Sequence, residues 1–345
     1  MQQPYFLQAA GSANKQLESG IYLRFSDDNA LLLGIKFGGT RTIRSTYQGK
    51  PINISYTNLD ESAMSIQADA GTDIIITGGE IDYLACGKSL SYFYQVRRNV
   101  SKLDVSGCIG LETLDFPTTS APIQLYANGC TSLKSINNID SVANLISCRG
   151  CTSLIDLDLS SAVELQYADC SGCAMLGDNL VQSMASSEIR YFDISGCSVT
   201  TLYMDSAIYF KNLNTLKAAN MPYLAEIQGL ESSKIEVLDI SNDVKLSFFE
   251  TPNTLTTLNC AGCTALESMY ISNSTSLTML DCTGIPNIME IRCTANNESV
   301  ANSVANAIST ALITDGGEVR VGANDTYVSI IQTAGDDKGW TVDTI

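Results

Sequence analysis

A hydrophobic phase of eleven residues runs through most of this chain and limits its fold more than any other feature. It is plainest at Leu255, Leu258, Cys260, Cys263, then at Leu266, Met269, Ile271, Ser274. It continues at Leu277, Leu280, Cys282, Ile285, and at Ile288, Ile291, Cys293, Asn296. The unit is LxxLxLxx(C/N)xx, and two units make a turn of about 22 residues. Upstream the phase recurs at Val100, Leu103, Val105, Cys108, at Leu111, Leu114, Phe116, and at Leu154, Leu157, Leu159. Further copies are Leu165, Ala168, Cys170, Cys173, then Ile189, Phe192, Ile194, Cys197, then Ile235, Leu238, Ile240, Asp243. The ninth position of alternate units falls at 108, 130, 151, 173, 197, 221, 243, 263 and 285, in steps of 22, 21, 22, 24, 24, 22, 20 and 22. Chance does not hold a phase over so many intervals. Leu176 to Ser187 reads as an insertion with a short helix, and Met221 and Asp243 stand where Cys or Asn is expected.

The LxL core of the unit has the period of two of a short strand, so both apolar residues face inward. Positions one, four and nine turn inward as the chain curves. One turn cannot bury that face alone, whereas stacked turns bury a continuous core. Strands of successive turns then lie roughly 4.8 Å apart in a parallel sheet. The expected fold is mostly β: a parallel β solenoid over 80–297, preceded by a small β-sandwich-like domain over 1–79 and closed by an α/β cap over 298–345.

The repeat pattern resembles leucine-rich-repeat proteins, whose consensus is LxxLxLxxN/CxL. It is most similar to the bacterial variety of internalin-J-like proteins and of Bacteroidetes surface and phage-encoded proteins. The matching stretches are Leu103-Asp104-Val105-Ser106-Gly107-Cys108, Phe192-Asp193-Ile194-Ser195-Gly196-Cys197 and Leu280-Asp281-Cys282, and the resemblance covers about 81–297. It implies an interaction scaffold rather than an enzyme. The run Gly71 to Gly78 resembles the last strand of the Ig/PKD-like domain that often precedes such repeats. The ending Lys338-Gly-Trp-Thr-Val342 resembles the C-terminus of phage and prophage repeat proteins of this kind, which implies a virion component and, in that setting, a homo-oligomer.

Composition narrows the function classes. Of 345 residues, 45% are hydrophobic and 17% charged, which suffices for a buried core. There are 20 Lys+Arg against 37 Asp+Glu, a net charge of −17, which argues against nucleic acid and anionic membranes as ligands. Histidine is absent, which removes the Ser-His-Asp triad, the Cys-His pair and every His-containing metal site. The start, Met1 to Leu7, does not read as a signal peptide, and no apolar run reaches the length of a spanning helix. The expected setting is the cytoplasm of the producing cell or a virion released by lysis, with the cell surface as the alternative.

Twelve cysteines are then expected as thiols. Cys148–Cys151, Cys170–Cys173 and Cys260–Cys263 are CxxC pairs, a spacing that also fits structural zinc or redox chemistry. The phase offers another reading: each pair fills positions six and nine, so with Cys282 and Cys293 the thiols form a buried ladder. No cofactor is expected on that reading. Disulfides between adjacent rungs have a suitable Cα spacing but nearly parallel Cβ vectors.

Before the repeats, 20–25, 31–37, 52–56 and 73–77 read as short strands, and the first 18 residues as an arm. After them, Glu298 to Ile313 has helical spacing, Glu318 to Val321 reads as a strand, Thr326 to Ala334 as a helix, and Lys338 to Val342 as a last strand carrying Trp340 as an aromatic plug.

Position five, the x of LxL, points outward. On the cysteine-bearing strands it reads Asp104, Tyr126, Ser147, Asp169, Asp193, Lys217, Asp239, Asn259, Asp281. The other strands offer Asp115, Asn137, Asp158, Tyr203, Gln228, Glu250, Tyr270, Glu290. This is the candidate binding face, acidic and aromatic, suited to a basic protein patch, a cation or a glycan, with Tyr126, Tyr203 and Tyr270 as anchors. The bland alternative is that the aspartates keep the sheet soluble. Two function classes follow: a non-enzymatic binding or structural protein, and a glycan-cleaving enzyme using two carboxylates from Asp156, Asp158, Asp169 and Asp193.

Overall fold

The structure is a computed structural model describing residues 20–25, 29–69, 71–78, 81–85, 90–96, 100–115, 124–137, 139, 144–183, 188–204, 210–323 and 325–344. The expected arm, Cys86 and Phe116 lie outside these residues. The chain is mostly β with few helices. It opens with β1 (Gly20–Phe25), β2 (Asn29–Tyr47), β3 (Lys50–Ala68), β4 (Asp73–Gly78), β5 (Ile81–Ala85), β6 (Leu90–Val96), β7 (Val100–Asp104) and β8 (Thr113–Asp115). Next come β9 (Gln124–Tyr126), β10 (Ser135–Asn137), β11 (Leu145–Ser147), β12 (Tyr167–Asp169), α1 (Asp178–Ser183), β13 (Tyr191–Asp193), β14 (Thr201–Tyr203), β15 (Thr215–Lys217) and β16 (Glu226–Gln228). The rest is β17 (Val237–Asp239), β18 (Phe248–Glu250), β19 (Thr257–Asn259), β20 (Ser268–Ile271), β21 (Met279–Asp281), β22 (Glu290–Ala295), α2 (Glu298–Thr310), β23 (Glu318–Ala323), α3 (Asp325–Lys338) and β24 (Thr341–Thr344).

The first parallel ladder runs β5, β7, β9, β11, β12, β13, β15, β17, β19, β21. Its register puts Leu103, Leu125, Ile146, Ala168, Phe192, Leu216, Leu238, Leu258 and Leu280 in one inward row. All are buried. The row therefore follows position four of the phase, because a pleated strand that showed these residues to water would expose its whole apolar set. Alternate strands pair in parallel as β6–β8–β10, as β14–β16, and as β18–β20–β22–β23–β24. The insertion holds α1, as its spacing suggests.

From β7 to β21, each pass of the first ladder turns after its strand in the same way. The position-eight residues Gly107, Gly129, Gly150, Gly172, Gly196, Gly262 and Gly284 have φ between 68° and 76°, and Asn220 and Asn242 have φ of 57° and 61°. Only glycine adopts this left-handed conformation freely, and asparagine is among the few other residues that tolerate it. The turn lets one pass bond to the next: the Gly172 N–H donates to the Ser195 carbonyl at 2.7 Å, and the Cys170 N–H donates to the Asp193 carbonyl at 2.8 Å.

The strands expected near the N-terminus form, but not as a separate sandwich. β2 pairs antiparallel with β3, β4 and β5, and β1 with β4 and β6. The connected order β5–β2–β4–β1–β6 is a strap that joins the two ladders at their first pass. Ile21, Leu23, Ile35, Ile43, Ile74 and Ile76 belong to the same buried cluster as Leu84 and Leu103. The reason is physical: an open first pass would leave that core in water. At the other end the cap matches the expected helix, strand, helix, strand order. Asn297 caps α2 by accepting from the Val300 N–H at 3.0 Å. Trp340 is buried, and its Nε1–H donates to the Ile313 carbonyl at 3.0 Å.

Candidate binding face

The position-five residues of the cysteine-bearing strands meet in one unbroken register: Asp104, Tyr126, Ser147, Asp169, Asp193, Lys217, Asp239, Asn259, Asp281. Tyr203 and Tyr270 are not part of it. Tyr203 sits on β14 opposite Gln228 in a two-stranded sheet, and Tyr270 on β20 in the five-stranded sheet. The neighbour of Tyr270 on β22 is Arg292, not Glu290, which pairs with Ser268. The LxL of that unit is Ile291-Arg292-Cys293, so Glu290 occupies position three and the expected row was one pleat out.

The aspartates have a local task that hydrophobic spacing does not reveal. Each accepts, through Oδ1, the N–H two residues on: Asp104 from Ser106, Asp169 from Ser171, Asp193 from Ser195, Asp239 from Ser241 and Asp281 from Thr283. Asn259 does the same for Ala261. These are Asx turns that bend the chain out of the strand into its left-handed residue. The D-x-S/T spacing was the available signal. Neither solubility alone nor ligand binding alone describes the row.

Position three also faces outward, a row that the x of LxL alone does not reveal. Tyr167 and Tyr191 are register neighbours there, with ring centroids 4.4 Å apart and planes within 5°. The Lys217 ammonium lies 5.7 Å from the Tyr191 ring centroid, and the Lys102 ammonium 5.0 Å from that of Tyr126. Burial, with the neighbouring Tyr191 and Asp169, pushes the Tyr167 hydroxyl up to about 12, so both tyrosines stay neutral donors. The centre of the face is thus aromatic, with carboxylates and ammonium groups beside the rings. A smaller cluster sits on the other side, where the Tyr270 hydroxyl donates to Glu290 at 2.8 Å under the Arg292 guanidinium, and Phe248 meets Tyr270 edge-on at 4.9 Å.

Behind the face lie the thiols. The eleven described cysteines are buried thiols. Position-nine thiols donate to the position-six carbonyl of the preceding pass: Cys151 to Ala127 at 3.0 Å, Cys173 to Cys148 at 3.1 Å, Cys197 to Cys170 at 3.3 Å and Cys263 to Ile240 at 3.0 Å. Cysteine is thus both a small apolar filler and a donor. Burial pushes the Cys197, Cys263, Cys282 and Cys293 thiols up to about 12, which leaves them protonated and poor nucleophiles. Asp243 replaces the thiol in one pass. It is fully buried and accepts from the Met221 N–H at 2.8 Å through Oδ1, while Oδ2 has no partner. Burial raises its carboxyl to about 8.

Among the described residues no group of three or more Cys, Asp or Glu side chains could hold a metal ion. Among the described residues no helix is long and apolar enough to cross a membrane. Of the four carboxylates weighed for glycan cleavage, Asp169 and Asp193 are adjacent and both held in turns. Asp158 lies on the other side, its carboxyl lowered by hydrogen bonds from Ser160, the wrong direction for a general acid. Asp156 bridges to Ser135, away from the first ladder. Comparison with protein-family models and with curated proteins finds no match to this chain.

Proposed function

We propose that the chain is a leucine-rich-repeat solenoid of the bacterial and phage type, and that it acts by binding rather than by catalysis. The observation that carries this reading is the unbroken outward row from Asp104 to Asp281 with the Tyr167–Tyr191 stack beside it. Aromatic bodies held rigid by their neighbours supply contact area at low entropic cost, and the flanking charges supply direction. The partner class is a protein or a cell-surface glycan. A virion role, as a tail or host-contacting component, or a role as an adhesion module, rests on the resemblance of the SGC units and of the KGWTV ending. The test compares wild type with Tyr167→Ala/Tyr191→Ala for binding to intact bacterial cells and to their purified surface polysaccharides and proteins. A loss of about tenfold or more is expected; equal binding by both would remove this face from the function. Proteomics of purified phage particles tests the virion role separately.

A further inference from the structure

We infer that the chain pairs with a second copy of itself along the free edge of β3, in an antiparallel ladder centred on Ile54. β3 pairs with β2 without a break from Lys50 to Thr57, and among the described residues β2 is its strand partner. The hairpin closes through Gln48 and Gly49, with φ of 50° and 69°, a two-residue primed turn. The flanking pair Tyr47–Lys50 is then hydrogen-bonded, and the alternation along the ladder leaves the backbone groups of Asn53, Ser55 and Thr57 aimed away from β2. Pro51, in the same set, has no N–H to leave unpaired.

Proteins blunt such edges with charge, proline or a bend. Lys50 and Pro51 do so at one end and the left-handed Asn58, with φ of 51°, at the other. Between them Ile52-Asn-Ile-Ser-Tyr-Thr57 carries no charge, in a chain whose net charge is −17. Two copies can approach there with little repulsion. The apolar face also stops one strand short: Ile54 is 42% exposed, whereas its cross-strand neighbour Ile43 is 2% exposed. A two-fold axis at Ile54 sets Ile54 against Ile54 and Ile52 against Tyr56, both favourable cross-strand pairs, with the outward groups of Asn53 and Ser55 bonding to each other. The same axis places the Lys50 end of one copy at the end of the other where the sequence continues Asp60-Glu61. The edge at β24 is four residues long and carries Asp343, so it lacks these features.

Sedimentation of the full chain at tens of micromolar should give twice the mass of one chain. Ser55→Pro, which removes an N–H aimed away from β2, and Ile54→Lys, which puts a charge on an exposed site, should each give a single-chain mass with unchanged near-UV circular dichroism. Ile54→Cys should cross-link on mild oxidation, whereas Asn53→Cys, off the axis and on the opposite face, should not. A single-chain mass for wild type, dimers that survive both substitutions, or open-ended growth in place of a dimer would overturn the inference.

Discussion

Asp243 stands where its sister passes have a thiol, and the exchange has a sign. Its carboxyl is raised to about 8 in the folded chain, above the ordinary value of 3.8. The folded state therefore holds the proton more tightly, and this contribution is fully present below about pH 4. It declines as pH rises, by about 1.4 kcal/mol per unit at most, until the folded group ionises. Wild type should lose melting temperature between pH 5 and pH 8, and Asp243→Asn should flatten that slope; parallel slopes would show that Asp243 is not its source. Gly262 tests the turn. A Cβ there meets the Asn242 side chain in addition to the strain of a φ of 75°. Gly262→Ala should cost more than the about 1–2 kcal/mol of left-handed strain alone, and Gly49→Ala, with open space around it and a φ of 69°, about that strain only. Denaturant titration of the two variants gives the comparison. The glycine of SGC was visible in the sequence, but a reading that follows apolar spacing passes over it, as it passes over the aspartate that bends the chain towards it.

The first ladder is the most legible element, because positions four and six repeat with little tolerance: slipping one residue would turn every leucine outward. Its thiols should behave as core. In the folded chain the eleven described cysteines should resist a water-soluble alkylating reagent at pH 8, and all twelve should react once the chain is unfolded. Rapid labelling of several thiols in the native state would contradict the buried column. Tyr167 and Tyr191 were less legible. Nothing in LxxLxL singles out position three as a contact row until strands are placed side by side; Glu290 is a different case, because the LxL of its unit, Ile291-Arg292-Cys293, already puts Arg292 at position five.

At the scale of the molecule, the ends were read unequally. The helix, strand, helix, strand order after Asn296 follows from local signals, above all the helical spacing of Glu298 to Ile313. The strap did not, because strands at 20–25 and 73–78 are recognisable in the sequence while the edges they join are set by contacts far along the chain. Deleting 1–78 should therefore uncover Leu84 and Leu103, and the remainder should aggregate or bind a hydrophobic dye. A monomeric fragment with a cooperative melt would assign 20–78 some task other than closing the core.

Register partners in the first ladder are 19 to 24 residues apart, and those of β14 and β16 are 25 apart, yet the three-residue strands never lose step. Extra residues such as α1 are carried between strands rather than within them. Each such strand offers two outward side chains, at positions three and five, while leucine and sulfur behind them hold the stack. On the proposed binding role, recognition and architecture are written in separate letters, and a new partner could be acquired by respelling position three, and the tyrosine and lysine sites of position five, without disturbing the column that keeps the chain upright.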